Sequence, residues 1–318
     1  MRVLFCLTAA WTMFQLNSAT LPAHSWDSHI HIIDPDRFPL DPAREYTPKP
    51  ATAANATTFQ KKVGQSHFVI VLPSFYGCNN SVLLDALNHF NGTARGVAVV
   101  DPHTVSNETL ATLNATGVVG LRINQGGDET PEEVIQRVKD NAVIARQWDW
   151  ALELWIDLKI FQQLHAIIPD LGVRVVADHF AHARVASASN QTSSTIDPYT
   201  IPGFTQVIDL VSRRLLFVKI SAPYQNSKLY PYYQDLEAVA RALIANGPDM
   251  VVWGSDWPHT ISASSIDPAD RMVPQNFRDV DDMAMILQTM QYASSKEQIQ
   301  RMFVDNPRRL WKWYDSTT

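Results

Sequence analysis

Eight short runs rich in β-branched and aromatic residues recur along the chain, at 26–33, 67–74, 95–101, 118–124, 151–157, 174–180, 217–223 and 250–256. Most are apolar throughout rather than alternating. A strand with one wet face alternates, so these runs predict strands buried on both faces of a parallel sheet. Helical patterns fall between many of them, at 81–90, 131–147, 158–168, 204–213, 233–246, 280–291 and 296–304. In the clearest, Thr130 is a suitable N-cap, Pro131 suits the first helical position, and Glu132 and Glu133 favour the positive end of the dipole. This alternation predicts an α/β fold closed as a single-domain (β/α)8 TIM barrel. A doubly wound open sheet would carry a glycine-rich phosphate turn, and the sequence has no G-x-G-x-x-G.

Two connections break the rhythm. Residues 34–66 form a long Pro-rich stretch after the first strand, and residues 183–202 a small-polar one after the sixth. Loops of that length in compact domains are usually functional or disordered. Both leave C-terminal strand ends, where barrels build their active sites.

The 318 residues carry 26 Lys+Arg against 32 Asp+Glu, a net charge of −6, with 46% hydrophobic and 18% charged residues. That mixture is globular, and its acidity gives no electrostatic footprint for nucleic acid. Two cysteines, Cys6 and Cys78, make neither a disulfide framework nor a Cys-rich zinc site. Residues 1–19 place one Arg before an apolar run and end in Ser18 and Ala19. This is the layout of a secretory signal peptide, too short to span a bilayer core of about 30 Å. Cleavage would remove Cys6, leave Cys78 alone, and leave 20–318 as the barrel. Six Asn-x-Ser/Thr sites, Asn55, Asn79, Asn91, Asn107, Asn114 and Asn190, exceed chance and support export and glycosylation. The expectation is a secreted extracellular protein with a small-molecule partner and neither nucleic-acid nor membrane partners.

The chemistry-bearing residues stand at strand ends. His29 and His31 are two apart on the first run, so they project from the same face. His179 closes the sixth run and Asp256 the eighth. Buried polar groups are costly without partners, which points these four to a site. His182 reads as a loop residue, and His259 equally as a partner of the site or a solvated loop residue. Arg122 on the fourth run suits a substrate carboxylate or a structural ion pair, and Lys219 on the seventh suits the ion pair better.

Together these residues resemble the amidohydrolase superfamily, and within it the 2-pyrone-4,6-dicarboxylate lactonase branch, often called amidohydrolase family 2. The stretches that carry the resemblance are WDSHIHIIDPDRFPL, EYTP, VIVLPSFYG, RGVAVVDP, GVVGLRIN, VVADHF, VKISAPY, VWGSDWPH and DNPRRLW, spanning about residues 26–311. The resemblance implies a (β/α)8 barrel that opens a lactone. It implies Asp256 as general base for water, His29, His31 and His179 as groups polarising the carbonyl, and Tyr46, Ser74, Arg122 and Trp155 as substrate contacts. The family's second substrate-binding Arg is replaced by the stretch Gln125-Gly126-Gly127-Asp128, and its Asn after the eighth-strand motif by Thr260-Ile261. A lost cation and an added acid favour a lactone with fewer negative charges than the pyrone dicarboxylate.

The same four groups make a plausible ligand set for one Zn2+. The fifth run offers Leu152-Glu153-Leu154-Trp155, without the His or Lys that metal-dependent relatives place on middle strands. The resemblance therefore implies no required metal. The alternative is a zinc-dependent decarboxylase or metallohydrolase of the same superfamily.

Overall fold

The computed structural model describes residues 20–185 and 196–313. The expected signal segment and the Asn190 glycosylation site lie outside the described residues. Eight parallel strands follow one another around a barrel: β1 (Trp26–Ile30), β2 (His67–Val71), β3 (Ala94–Ala98), β4 (Val118–Asn124), β5 (Ala151–Trp155), β6 (Val175–Ala177), β7 (Leu216–Ile220) and β8 (Val251–Trp253). Each pairs with the next in chain order, as expected for repeated right-handed crossovers. The ring closes between β8 and β1, where Asp256 N donates to His29 O and His31 N to Trp257 O, each at 2.8 Å.

Except for β4, the strands are shorter than the apolar runs. β1 stops at Ile30 and β6 at Ala177, because the residues beyond them turn inward to build the site. His179, Phe180, Ala181 and His182 all have left-handed backbone, with φ of 49, 57, 54 and 55°. No strand accommodates that conformation, which costs energy at each non-glycine residue.

Helices cover the outside: α1 (Ala53–Val63), α2 (Ser81–His89), α3 (Asn107–Thr116), α4 (Pro131–Trp148), α5 (Phe161–Leu164), α6 (Phe204–Ser212), α7 (Glu237–Asn246) and α8 (Asp282–Tyr292). α4 starts as its sequence predicts, with Pro131 at its start and Thr130 and Glu133 forming a reciprocal capping box. The connection 34–66 is not a structureless loop: it contains α1, capped by Thr52 and Asn55 and held by Ala56, Phe59 and Val63. α3 is a second helix absent from the sequence reading, and only Leu110 and Leu113 of it are buried. The pattern at 296–304 resolves into α9 (Lys296–Gln300), a wide turn at Arg301–Asp305, and α10 (Asn306–Leu310). α10 ties the chain end to the barrel floor, where Asn306 Nδ2 donates to Val251 O at 2.8 Å.

No helix among the described residues is long and apolar enough to cross a membrane. Cys78 is a free, exposed thiol. Asn55, Asn79, Asn91, Asn107 and Asn114 are all exposed.

Candidate active site

At the C-terminal mouth of the barrel, β1, β6 and β8 bring His29, His31, His179 and Asp256 together. His29 Nε2 lies 3.3 Å from His31 Nε2. Asp256 Oδ1 lies 3.4 Å from His29 Nε2 and 3.2 Å from His31 Nε2. The His179 ring sits 4.9 Å from that of His29. All four side chains are buried.

Each histidine is fixed by its other nitrogen. His31 Nδ1 donates to Val71 O at 2.8 Å, which places a hydrogen on that nitrogen. His179 Nδ1 pairs with Ser221 Oγ at 2.8 Å, while Asn226 Nδ2 donates to His179 O at 2.7 Å and pins the turn. His29 Nδ1 meets Lys219 Nζ at 3.0 Å. Lys219 also reaches Glu153 Oε2 at 2.6 Å and Asp178 Oδ1 at 3.2 Å. His29 Nδ1 also lies 3.3 Å from Asp178 Oδ1, so Lys219 and Asp178 together fix the ring and leave Nε2 facing the pocket.

Behind the histidines lies a buried ionic layer. Arg122 and Glu153 are register partners on β4 and β5. Arg122 Nη2 donates to Asp178 Oδ2 at 3.1 Å, and its Nε lies 3.5 Å from Glu153 Oε1. Arg122 is therefore engaged by two carboxylates, the ion-pair alternative of its sequence reading, and Lys219 is in the ion pairs expected of it. Glu153 and Asp178 did not stand out in the sequence. An apolar run does not reveal which of its residues face the barrel axis.

Burial and this layer set the charges. Burial alone would raise Asp178, but Lys219, His29 and Arg122 hold it well below the usual carboxylate range. Burial and Asp178 push Glu153 up to about 8, against the pull of Lys219 and Arg122. Burial would also raise Asp256, yet His179, His31 and His29 keep it well below the usual range. Burial lowers His29 and His179, with Lys219 adding to the fall at His29. The site thus sets a carboxylate favoured in its ionised form against imidazoles whose charged form burial disfavours at His29 and His179.

The substrate contacts implied by the resemblance are spread more widely. Tyr46 is half-buried, packs its ring on Phe75 at 5.4 Å and donates its hydroxyl to Thr260 Oγ1 at 3.2 Å. Ser74 is exposed in the turn after β2. Trp155 ends β5, half-buried, with its ring edge-on to His182 at 5.0 Å. His182 lies in the turn after β6, as its sequence position implies, and is buried there. The left-handed turn rotates it inward.

Gly254 and Asp27 hold the seam between β8 and β1. A Cβ on Gly254 would meet His29 Cβ at 2.8 Å and His29 N at 3.0 Å. Gly254→Ala should therefore push His29 out of line. The expected cost is about 1–3 kcal/mol of stability, seen in urea unfolding, together with a large loss of kcat. Asp27 Oδ1 accepts from His29 N at 3.1 Å and Ser255 N at 2.9 Å. Its carboxyl is pushed up to about 7 by burial, with Ser255 and the His29 amide opposing. The folded protein therefore keeps a proton there that the unfolded chain has released. This term makes stability fall as pH rises from the ordinary carboxylate range to about 7. Asp27→Asn keeps both accepted bonds and removes the term. Relative to the native protein, its thermal midpoint should improve between pH 5 and pH 8; an unchanged difference would refute this.

The donor set also fits a divalent cation. Metal–ligand bonds of about 2.0–2.1 Å in a tetrahedron put ligand atoms about 3.3–3.4 Å apart. The triangle of His29 Nε2, His31 Nε2 and Asp256 Oδ1 has edges of 3.3, 3.4 and 3.2 Å. Asp256 Oδ1 has no hydrogen-bond partner among the described residues. The outward nitrogens of all three histidines are occupied, as they are around ligating imidazoles.

A barrel with this cluster at its C-terminal mouth defines a hydrolase class, and the chain belongs to the amidohydrolase family, whose model, described as Amidohydrolase, matches residues 26–313. Among its relatives is a 4-sulfomuconolactone hydrolase of Hydrogenophaga intermedia, 28% identical over 92% of this chain and 89% of that protein. Another is a 2-pyrone-4,6-dicarboxylate hydrolase of Comamonas testosteroni, 27% identical over 92% of this chain and 91% of that protein. A solved apo structure from Agrobacterium tumefaciens matches with a TM-score of 0.74 and 20% identity, covering 93% of this chain and 98% of that one. That likeness shows the eight-stranded barrel fold.

Proposed function

We propose that this enzyme opens a lactone or pyrone-type cyclic ester with water, Asp256 acting as general base and His29, His31 and His179 polarising the carbonyl. The observation that carries the reading is Asp256 Oδ1, buried and unpartnered, aimed at two imidazole nitrogens. Two relatives named as lactone or pyrone hydrolases support the substrate class.

The chain's own groups can run the reaction. Water attacks the lactone carbonyl, and Asp256 Oδ1 takes its proton as the new C–O bond forms. Attack makes the water strongly acidic, so a carboxylate held ionised can still accept the proton. His29, His31 and His179 face the developing oxyanion from one side, and one well-placed donor there is often worth about 3–4 kcal/mol. The ring C–O bond then breaks, and Asp256 returns the proton to the leaving oxygen. The new carboxylic acid ionises, so each turnover releases one proton. The ionic layer keeps His29 aimed. Arg122, already paired, leaves the pocket without a strong second anion site, which favours a substrate less charged than a dicarboxylate.

The donor triangle favours a second reading, in which His29, His31, His179 and Asp256 hold one divalent cation such as Zn2+. Bound there, the cation would polarise the carbonyl and acidify the attacking water. Metal analysis and assay after chelation separate the two. Full turnover by metal-stripped protein is the result expected for the first reading, and activity lost on stripping and restored by zinc establishes the second.

A screen of lactones and pyrones by pH-stat tests the function itself. Acid release should appear with the native protein, and no release from any cyclic ester would contradict the proposal. We also propose that the protein is secreted and glycosylated, on its N-terminal layout and its exposed Asn-x-Ser/Thr sites. Mass spectrometry of the native protein should find residues 1–19 removed and glycans attached. A chain that retains those residues and carries no glycan would refute export.

A further inference from the structure

Behind Asp256 runs a second line of buried polar side chains that the chemistry above does not use. Tyr224, in the turn Pro223–Gln225 after β7, donates its hydroxyl hydrogen to Asp256 Oδ2 at 2.7 Å. His259 Nδ1 stands 3.3 Å from the same phenol oxygen. The other side of that imidazole, Nε2, stands 3.1 Å from Asp282 Oδ1. Asp282 is the first residue of α8, where the positive end of the helix favours a carboxylate. Three separate segments thus meet in one line that ends on the carboxylate of Asp256.

We propose that Asp282 and His259 hold Tyr224 so that its hydroxyl pins Oδ2 of Asp256 and leaves Oδ1 as the one reactive oxygen. A carboxylate turns readily about its last bond, since that torsion has broad minima. Fixing one oxygen fixes the other, and the fixed pose points Oδ1 at His29 and His31. Tyr224 has one hydroxyl hydrogen and two neighbours; the acceptor-only carboxylate at the shorter distance takes it. His259 then stands behind the phenol oxygen, with the Asp282 carboxylate 3.1 Å from its far nitrogen as an ionic neighbour that favours this placement of the ring. The pose is held from other directions too. The Arg278 guanidinium lies over the Tyr224 ring at 4.8 Å, and Arg278 N donates to His259 O at 2.8 Å. His259 N donates to Asp256 O at 2.8 Å, so base and imidazole move as one turn. Tyr224, His259 and Asp282 are positioning residues, and Asp256 alone in this line touches the reacting atoms.

The inference rests on Asp256 being the base. The test measures kcat, KM and thermal midpoint for the native enzyme, Asp256→Asn, Tyr224→Phe, Asp282→Asn, His259→Gln and the double variant Tyr224→Phe/Asp282→Asn. The probe is 3,4-dihydrocoumarin or the fastest substrate of the lactone screen. Tyr224→Phe should lower kcat roughly tenfold to a hundredfold with KM within about twofold, as one charge-assisted bond is lost. Asp282→Asn and His259→Gln should each lower kcat about fivefold in the native enzyme. In the Tyr224→Phe background Asp282→Asn should cost almost nothing in kcat, while its effect on the thermal midpoint stays the same, since coupled residues are non-additive. Equal kcat losses in both backgrounds, or a KM rise with kcat intact, overturn the positioning role and leave the base reading standing. Native-like turnover by Asp256→Asn overturns both.

Discussion

Asp256→Asn should lower kcat roughly 10²–10⁴-fold, the range of a general base, while the thermal midpoint stays within a few degrees of the native value. The amide can keep the fold because its oxygen still accepts from Tyr224 and its nitrogen can donate toward His31 Nε2. It loses the ability to take a proton from water. The size of the effect follows from the isolation of Oδ1, since no other carboxylate oxygen among the described residues sits against both His29 and His31 Nε2. Steady-state kinetics on any lactone the native enzyme opens, together with a melting curve, measures it. Turnover within tenfold of native would remove Asp256 from its role.

Lys219→Met carries the largest expected effect on stability, about 3–5 kcal/mol, the cost of breaking a buried ion pair from one side. Lys219, Glu153 and Asp178 are fully buried, and Lys219 bonds both acids. Without the ammonium, Arg122 alone faces two carboxylates. Glu153 is pushed up to about 8, so the loss is fullest above that pH, where both acids are ionised, and smaller below it, where Glu153 holds a proton. Lys219→Met/Glu153→Gln should therefore recover much of the stability of the single variant, because it restores charge balance. Urea unfolding of both proteins reads the difference. A single variant within about 1 kcal/mol of native would show that the ionic layer is not what holds the mouth of the barrel.

The barrel and the four site groups were legible because each leaves a local mark. Continuous apolar runs mark doubly buried strands, the two-residue spacing of His29 and His31 marks one face, and Asp256 closes an apolar run. The ionic layer left no such mark. Glu153 sits in a run where every residue is buried, so its inward direction depends on the register with Arg122 across the β4–β5 pair. The line from Asp282 to Tyr224 joins side chains from two turns and the start of α8 and is set by packing alone. α1 was hidden by its place in a Pro-rich stretch, although Ala56, Phe59 and Val63 carry helical spacing. α3 has too few apolar residues to show a face. The left-handed turn at His179–His182 has no glycine to announce it, and it alone decides that His182 packs inside. Such backbone strain collects at functional sites, where propensity misleads most.

The central claim is attack of water on a lactone carbonyl beside Asp256, and a single-turnover reaction in 18O-labelled water tests it most directly. The account predicts one labelled oxygen in the newly formed carboxyl group and none in the released hydroxyl. Product without label, label in the hydroxyl, or release of carbon dioxide would contradict it.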